Sequence, residues 1–230
     1  MKREVQPELL DTLPPDDPRA RRSRRDLRRV NAWMGNGVTL AHALRGSANG
    51  RVPGQILELG AGDGQLLLRV ARTLAPLWPD VEVTLLDRQP LVEAMTLANF
   101  AALGWRAETK VADVFDEVAD RGRPLDIVIA NLFLHHFSTE QLTKLFGALA
   151  ERARLVVALD PRRGVWPLFC SRLLGGLGCN AVTRHDARVS VRAGFAATEL
   201  SSLWPQSGDL ELSERSAGLF SHLFVARRKS

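Results

Sequence analysis

Three glycines spaced two apart, Gly60, Gly62 and Gly64, close the stretch LELGAGDG at residues 57–64. Glycines at this spacing let a chain turn tightly and bring backbone N–H groups against a ligand. The helix-like run QLLLRV follows at once and adds the positive end of a helix dipole. A phosphate, a dinucleotide, another small cofactor or a bare tight turn would each place glycines here. Further along stand two carboxylates, Asp87 in TLLD and Asp113 in VADVF, then Asn131, then two imidazoles, His135 and His136, in NLFLHHF. An acid 23 residues beyond Gly64 suits the paired hydroxyls of a ribose. Asp113 beside the N–H of Val114 suits the edge of an adenine. A neutral imidazole can accept a proton from a phenol near pH 7.

Strand and helix patterns alternate around these residues. QILEL (55–59) reads as a strand, followed by a helix that stops near Pro76. Strands follow at 81–87, 106–113, 125–131 and 154–160. Between them lie a helix at 90–103 with Pro90 in its first position, its apolar face at Leu91, Ala94, Met95 and Ala98, and one at 138–153 opened by a Ser138/Gln141 capping box. Residues 164–180 are apolar and partly helical, 184–194 are helical, and 209–229 read as two strands turning near Ala217 and Gly218. Mostly apolar strands imply a parallel sheet covered on both faces. The alternation therefore predicts a doubly wound α/β sheet with a closing strand pair. The chemistry-bearing residues all fall at carboxyl ends of strands, where open α/β sheets bind ligands. The dinucleotide fingerprint needs a third glycine where this chain has Gln65, which argues against a dinucleotide.

Residues 1–17 are polar and proline-rich and read as an arm; 46–54 read as a linker, with a short helix before it at 38–44. From Pro18 to about Gly35 the pattern is helical, with Ala20, Leu27, Val30 and Met34 on one face. Residues 19–29 hold seven Arg and one Asp, while the whole 230-residue chain is only +5. The pI of 10.0 thus reflects one basic helix, not a basic domain. That helix reads as a solvated face, or as a contact for an acidic carrier or an anionic membrane surface. No apolar run approaches the ~20 residues of a spanning helix, and the N-terminus lacks a signal-peptide core, so a cytoplasmic protein is expected. Cys170 and Cys179 match no zinc spacing and read as small apolar residues; no metal site is expected.

ELGAGDG, LLDRQP, VADVF and IANLFLHHF, in this order and at these distances, resemble the class I S-adenosylmethionine-dependent methyltransferases over about residues 50–228. The resemblance implies a mostly parallel seven-stranded Rossmann-like sheet with a terminal antiparallel pair. It places Glu58, Gly60, Ala61, Gly62 and Gly64 at the methionine end of S-adenosylmethionine. Asp87 and Arg88 fall at the ribose, and Asp113 and Val114 at the adenine. Asn131 and Leu132 then run beside the reactive sulfonium. Residues 1–49 would cover the active site of a cofactor-binding domain at 50–230, and 164–185 would be a substrate-covering insertion. More loosely, GCNAVTRHDARVSVRAGF and GLFSHLFVARR resemble small-molecule methyltransferases found beside bacterial type III polyketide synthases, which act on phenolic or quinone-like lipids.

The acceptor must be read elsewhere. Asn131 is not followed by the Pro-Pro-aromatic motif of amino methylation, Asn131 and Asp160 supply at most one good magnesium ligand, and neither cysteine sits as a cytosine-methylating nucleophile would. His136 and His135 remain as catalytic candidates, then His185; His222, among large apolar neighbours, reads as a packed core residue. Arg184 could pair with an anionic substrate or with Asp186. The expected reaction is O-methylation, or C-methylation, of a small hydrophobic phenolic or polyketide-like acceptor. The competing readings are an RNA or ribosomal methyltransferase guided by the Arg helix, and a non-catalytic scaffold.

Overall fold

The computed structural model describes residues 1–119, 124–206 and 208–229. Five strands, β1 (Gln55–Leu59), β2 (Glu82–Asp87), β3 (Arg106–Val111), β4 (Leu125–Asn131) and β5 (Ala153–Pro161), pair in parallel in the order β3-β2-β1-β4-β5. The last two, β6 (Leu210–Ala217) and β7 (Ser221–Arg228), complete a seven-stranded sheet as an antiparallel pair on β5. This is the mostly parallel sheet with the antiparallel end that the alternation pattern and the resemblance predict.

Alternate strand residues feed two separate cores. Ile56, Val83, Leu85, Ile127, Ile129 and Val157 pack beneath α3 (Asn36–Ser47), α4 (Gln65–Leu74) and α5 (Ala94–Ala102). Leu57, Leu59, Leu86, Val128, Ala130 and Val156 pack beneath α6 (Val114–Ala119), α7 (Thr139–Arg152) and α10 (Glu199–Leu203). A one-residue register slip would exchange the two sets, so the doubly apolar strands are held by the parallel ladder itself. β3 departs from the expected apolar strand. It lies at the sheet edge with Glu108 and Lys110 exposed, and charges there discourage pairing with another chain.

α1 (Leu9–Thr12) and α2 (Pro18–Trp33) precede the sheet, and α8 (Val165–Arg172) and α9 (Ala181–Ala193) lie between β5 and β6. α2 corrects the expected apolar face. It buries Ala20, Ser23 and Asp26, while Leu27, Val30 and Met34 are only half-buried. The polar pair is satisfied by α9 across the contact: the Asp26 carboxylate accepts from the Asn180 N–H at 2.8 Å, and the Thr183 hydroxyl lies 2.9 Å from Ser23 Oγ. α5 begins at Ala94, not Pro90, because Leu91 N bonds Gln89 O in a tight turn and Val92 packs on the core. Its buried residues are Thr96 and Phe100, and Met95 points to solvent. The capping box at Ser138 and Gln141 is present. Cys170 and Cys179 are free thiols, half-buried rather than buried.

Candidate functional site

The parallel register aligns the strand ends. Leu59 pairs with Leu86 and with Ala130, Asp87 with Val111, and Asn131 with Leu159. Chain order runs outward in opposite directions from β1 and β4, which opens a crevice at their carboxyl ends. A cavity of about 1400 Å³ occupies it.

At one end lies the glycine turn. Gly60, Gly62 and Gly64 all have φ between 57° and 71°, the left-handed region that L side chains avoid. Each glycine serves a different purpose. A Cβ on Gly60 would lie 2.2 Å from the Phe133 ring, one on Gly64 would lie 3.0 Å from Leu85, and one on Gly62 would meet nothing within 4 Å. Gly62 therefore leaves space beside the cavity, while Gly64 serves packing and does not line it. Asp87 braces the turn: its carboxylate accepts from Gly62 N at 2.8 Å and from Gln89 N at 2.9 Å. The Asp113 carboxylate caps α6 by accepting from Phe115 N at 2.8 Å. Glu58 is buried, and its Oε2 has no hydrogen-bond partner among the described residues. Burial, reinforced by the charges of Asp63 and Asp87, pushes its carboxyl well above the usual range. Leu132 holds φ 51°, a strained value for a leucine, at the end of β4 where its side chain lines the cavity.

Two arginines of α2 reach over this turn. Arg28 pairs with Asp63 at 2.7 Å, and Arg24 donates to Pro15 O at 2.7 Å and to Gln89 Oε1 at 3.4 Å. The Arg helix is thus partly a tether, not only a solvated face.

At the other end lie the two histidines. His135 is 3% exposed; its Nδ1 is 2.7 Å from Asp160 Oδ1 and its Nε2 is 3.2 Å from Glu8 Oε1. Burial opposes charge on this ring, but the hydrogen bonds and charges of the two carboxylates outweigh it and raise the pKa to about 9. Both ring nitrogens thus face carboxylates, an arrangement that favours the imidazolium over the free base expected of a catalytic histidine. Glu8, lowered by the His135 and Ser190 hydrogen bonds against its burial, stays a carboxylate. His136 lines the cavity with its Nδ1 3.3 Å from Asp11 Oδ2. His185 stands outside the cavity lining. It pairs with Asp186, whose carboxylate also accepts from Leu9 N and Leu10 N, so Arg184 does not take that acid as its partner. His222 is a packed core residue held by Glu214 at 2.7 Å. Leu27, Val30, Met34, Phe137, Leu173 and Leu177 supply apolar lining to the same cavity as His136.

Of the expected cofactor residues, Glu58, Gly60, Ala61, Gly62, Asp87, Arg88, Asp113, Val114, Asn131 and Leu132 share this one cavity. Glu8, Asp11 and Ser190 join the site without any motif to announce them. Glu8, His135 and His136 offer ligand atoms within 4.8 Å of one another, but His135 spends both nitrogens on carboxylates.

Sheet order, glycine turn and strand-end acids together define the class I methyltransferase fold. Residues 56–155 match the family model described as a methyltransferase domain. No curated protein matches the sequence. Among solved structures, the mitomycin 7-O-methyltransferase MmcR is 18% identical with a TM-score of 0.61, over 96% of this chain and 60% of its own. The plantazolicin methyltransferase BamL, solved with a triazolic desmethylPZN analog and SAH, is 13% identical with a TM-score of 0.60, over 89% and 90%. The magnesium protoporphyrin IX methyltransferase of Synechocystis PCC 6803, with SAH bound, is 16% identical with a TM-score of 0.52, over 85% and 83%. The chain thus spans 60% of the mitomycin enzyme's length.

Proposed function

We propose that this chain transfers a methyl group from S-adenosylmethionine to the oxygen of a small, apolar, phenolic or polyketide-like acceptor. The carrying observation is one cavity of about 1400 Å³ whose lining includes the glycine turn, the strand-end acids, His136 and a set of apolar side chains. One small-molecule site occupies roughly 300–1,000 Å³, so the volume suits two ligands side by side. The residues fit the donor. The orphaned Glu58 Oε2 would gain a partner in an ammonium group, and open space at Gly62 would admit a ligand against the backbone. Asp87 would take the ribose, and Asp113 with Val114 the adenine edge.

When bound, the donor supplies an electrophilic methyl carbon on its sulfonium. The chain's part is position, dryness and a proton acceptor. The apolar walls hold an aromatic ring and exclude water. His136 takes the phenolic proton, and the Asp11 carboxylate at 3.3 Å stabilises the imidazolium that results. His135, already protonated, positions the turn at Leu134–His136 and ties the N-terminal arm to it. Of the expected covers at 1–49 and 164–185, residues between Val5 and Met34 and between Pro167 and Leu177 line this cavity and act as its cover. Purified protein with labelled donor should be offered phenols, alkylresorcinols and quinols beside total RNA. Label in a phenolic compound is the expected result, and label confined to RNA overturns the proposal.

A further inference from the structure

Exposed apolar side chains gather on one ridge. Val165, Trp166, Phe169, Leu173 and Leu177 are 48–81% exposed. From Trp166 onward they recur every three or four residues, along α8 and into the turn at Leu173–Gly175. The Trp166 and Phe169 rings stack on each other with centroids 5.7 Å apart instead of turning inward. Pro167, Cys170 and Leu174 line the cavity, as do Leu173 and Leu177, so the ridge is the outer face of this wall at Val165, Trp166 and Phe169 and its exposed rim at Leu173 and Leu177. Cations surround the ridge's end. Arg22 donates to Gly178 O at 3.2 Å, and the Arg184 guanidinium rests on Gly175, 3.3 Å from where a Cβ would stand. Arg22, Arg29 and Arg184 all act electrostatically on the Cys179 thiol between them, and Arg172 is exposed on α8 itself. Of the acids in this neighbourhood, Asp26 is buried and occupied by Asn180 and Thr183, and Asp17 is paired with Arg19.

We propose that this face docks the protein onto an anionic lipid bilayer, with the Trp166–Leu177 ridge in the interface and Arg22, Arg29, Arg172 and Arg184 on headgroup phosphates. Protruding aromatic and aliphatic side chains beside arginines match what an interfacial surface requires. An acidic protein would satisfy the charges and leave the ridge in water. The docking surface stands on these residues alone; taking the bilayer as the source of an apolar acceptor rests on the methyl-transfer reading. The full chain should be sedimented with vesicles of phosphatidylcholine alone and of phosphatidylcholine with phosphatidylglycerol. Binding is expected only with the anionic vesicles and should fall as salt rises. Trp166→Ala with Phe169→Ala, and separately Arg22→Gln with Arg184→Gln, should each weaken it about tenfold without changing the melting temperature. No binding to anionic vesicles overturns the proposal. So does binding indifferent to the aromatic pair, the signature of a charge-only contact, or a dimer in solution that the aromatic substitutions dissolve. Donor calorimetry on the same preparations separates the two proposals. Donor binding without vesicle binding removes only the docking surface, and the reverse removes only methyl transfer.

Discussion

At the glycine-turn end, carboxylates of the strand ends and the turn itself hold the backbone: Asp87 accepts from Gly62 N across 25 residues, and Asp63 accepts from Gln65 N across two. At the histidine end one contact spans the same distance, His135 to Asp160 across 25 residues, but the others come from the N-terminal arm. Glu8 reaches His135 across 127 residues, and Asp186 reaches Leu9 across 177. The first end follows from sheet topology, since any chain forming this ladder brings those strand ends together. The second depends on pairs of charged and polar groups on segments that no ladder aligns. The two ends should therefore be separable by substitution.

His136→Ala tests the separation most severely. We expect kcat to fall by about 10²–10⁴, the usual worth of a general base, with donor affinity unchanged in calorimetry; a matching loss of affinity would mean the ends are coupled. Asp87→Ala should do the converse and weaken donor binding on the order of 100-fold through lost charge-assisted hydrogen bonds. If binding is unchanged, Asp87 does not hold the donor. Gly60→Ala adds a left-handed alanine and a clash with Phe133. Thermal denaturation should show a loss of roughly 2–4 kcal/mol from overpacking and backbone strain. The smallest effect concerns the arm. The raised pKa means that the His135 imidazolium's contribution is complete below pH 6.5 and is lost as pH rises through about 9. Protease should cut residues 1–12 faster at pH 10 than at pH 7, and Glu8→Gln should already show fast cleavage at pH 7. Equal rates in all cases would show that the ion pair does not hold the arm.

The sequence conveys the glycine-turn end well because its signals are local. QILEL and LDIVIAN coincide with β1 and β4 residue for residue, and the Ser138 capping box stands where two side chains three apart place it. What escapes is whatever depends on a distant partner. Nothing near Glu8 announces a buried carboxylate, since its reason for burial lies on another segment. Likewise Ser23 and Asp26 read as solvent-facing by polarity, and only α9 makes them an interior face. The α5 face fails for a related reason: Met95 fits the helical period, but the turn at Gln89–Leu91 shifts the start of the helix and so changes which face meets the core. The proton state of His135 is equally hidden, because it comes from two acids met only in three dimensions.

The polar seam between α2 and α9 has a mechanical consequence. Two surfaces held by oil-like packing resist separation in proportion to their area and can slide against each other while in contact. A seam of hydrogen bonds such as Asp26 to Asn180 and Ser23 to Thr183 behaves as a set of discrete catches. Water can replace each catch at a net cost of about 1 kcal/mol, and the fixed directions of the bonds permit only one way of closing again. The directions of these bonds therefore set α2 in one register on α9, and with it the places of Arg24 and Arg28 over the glycine turn.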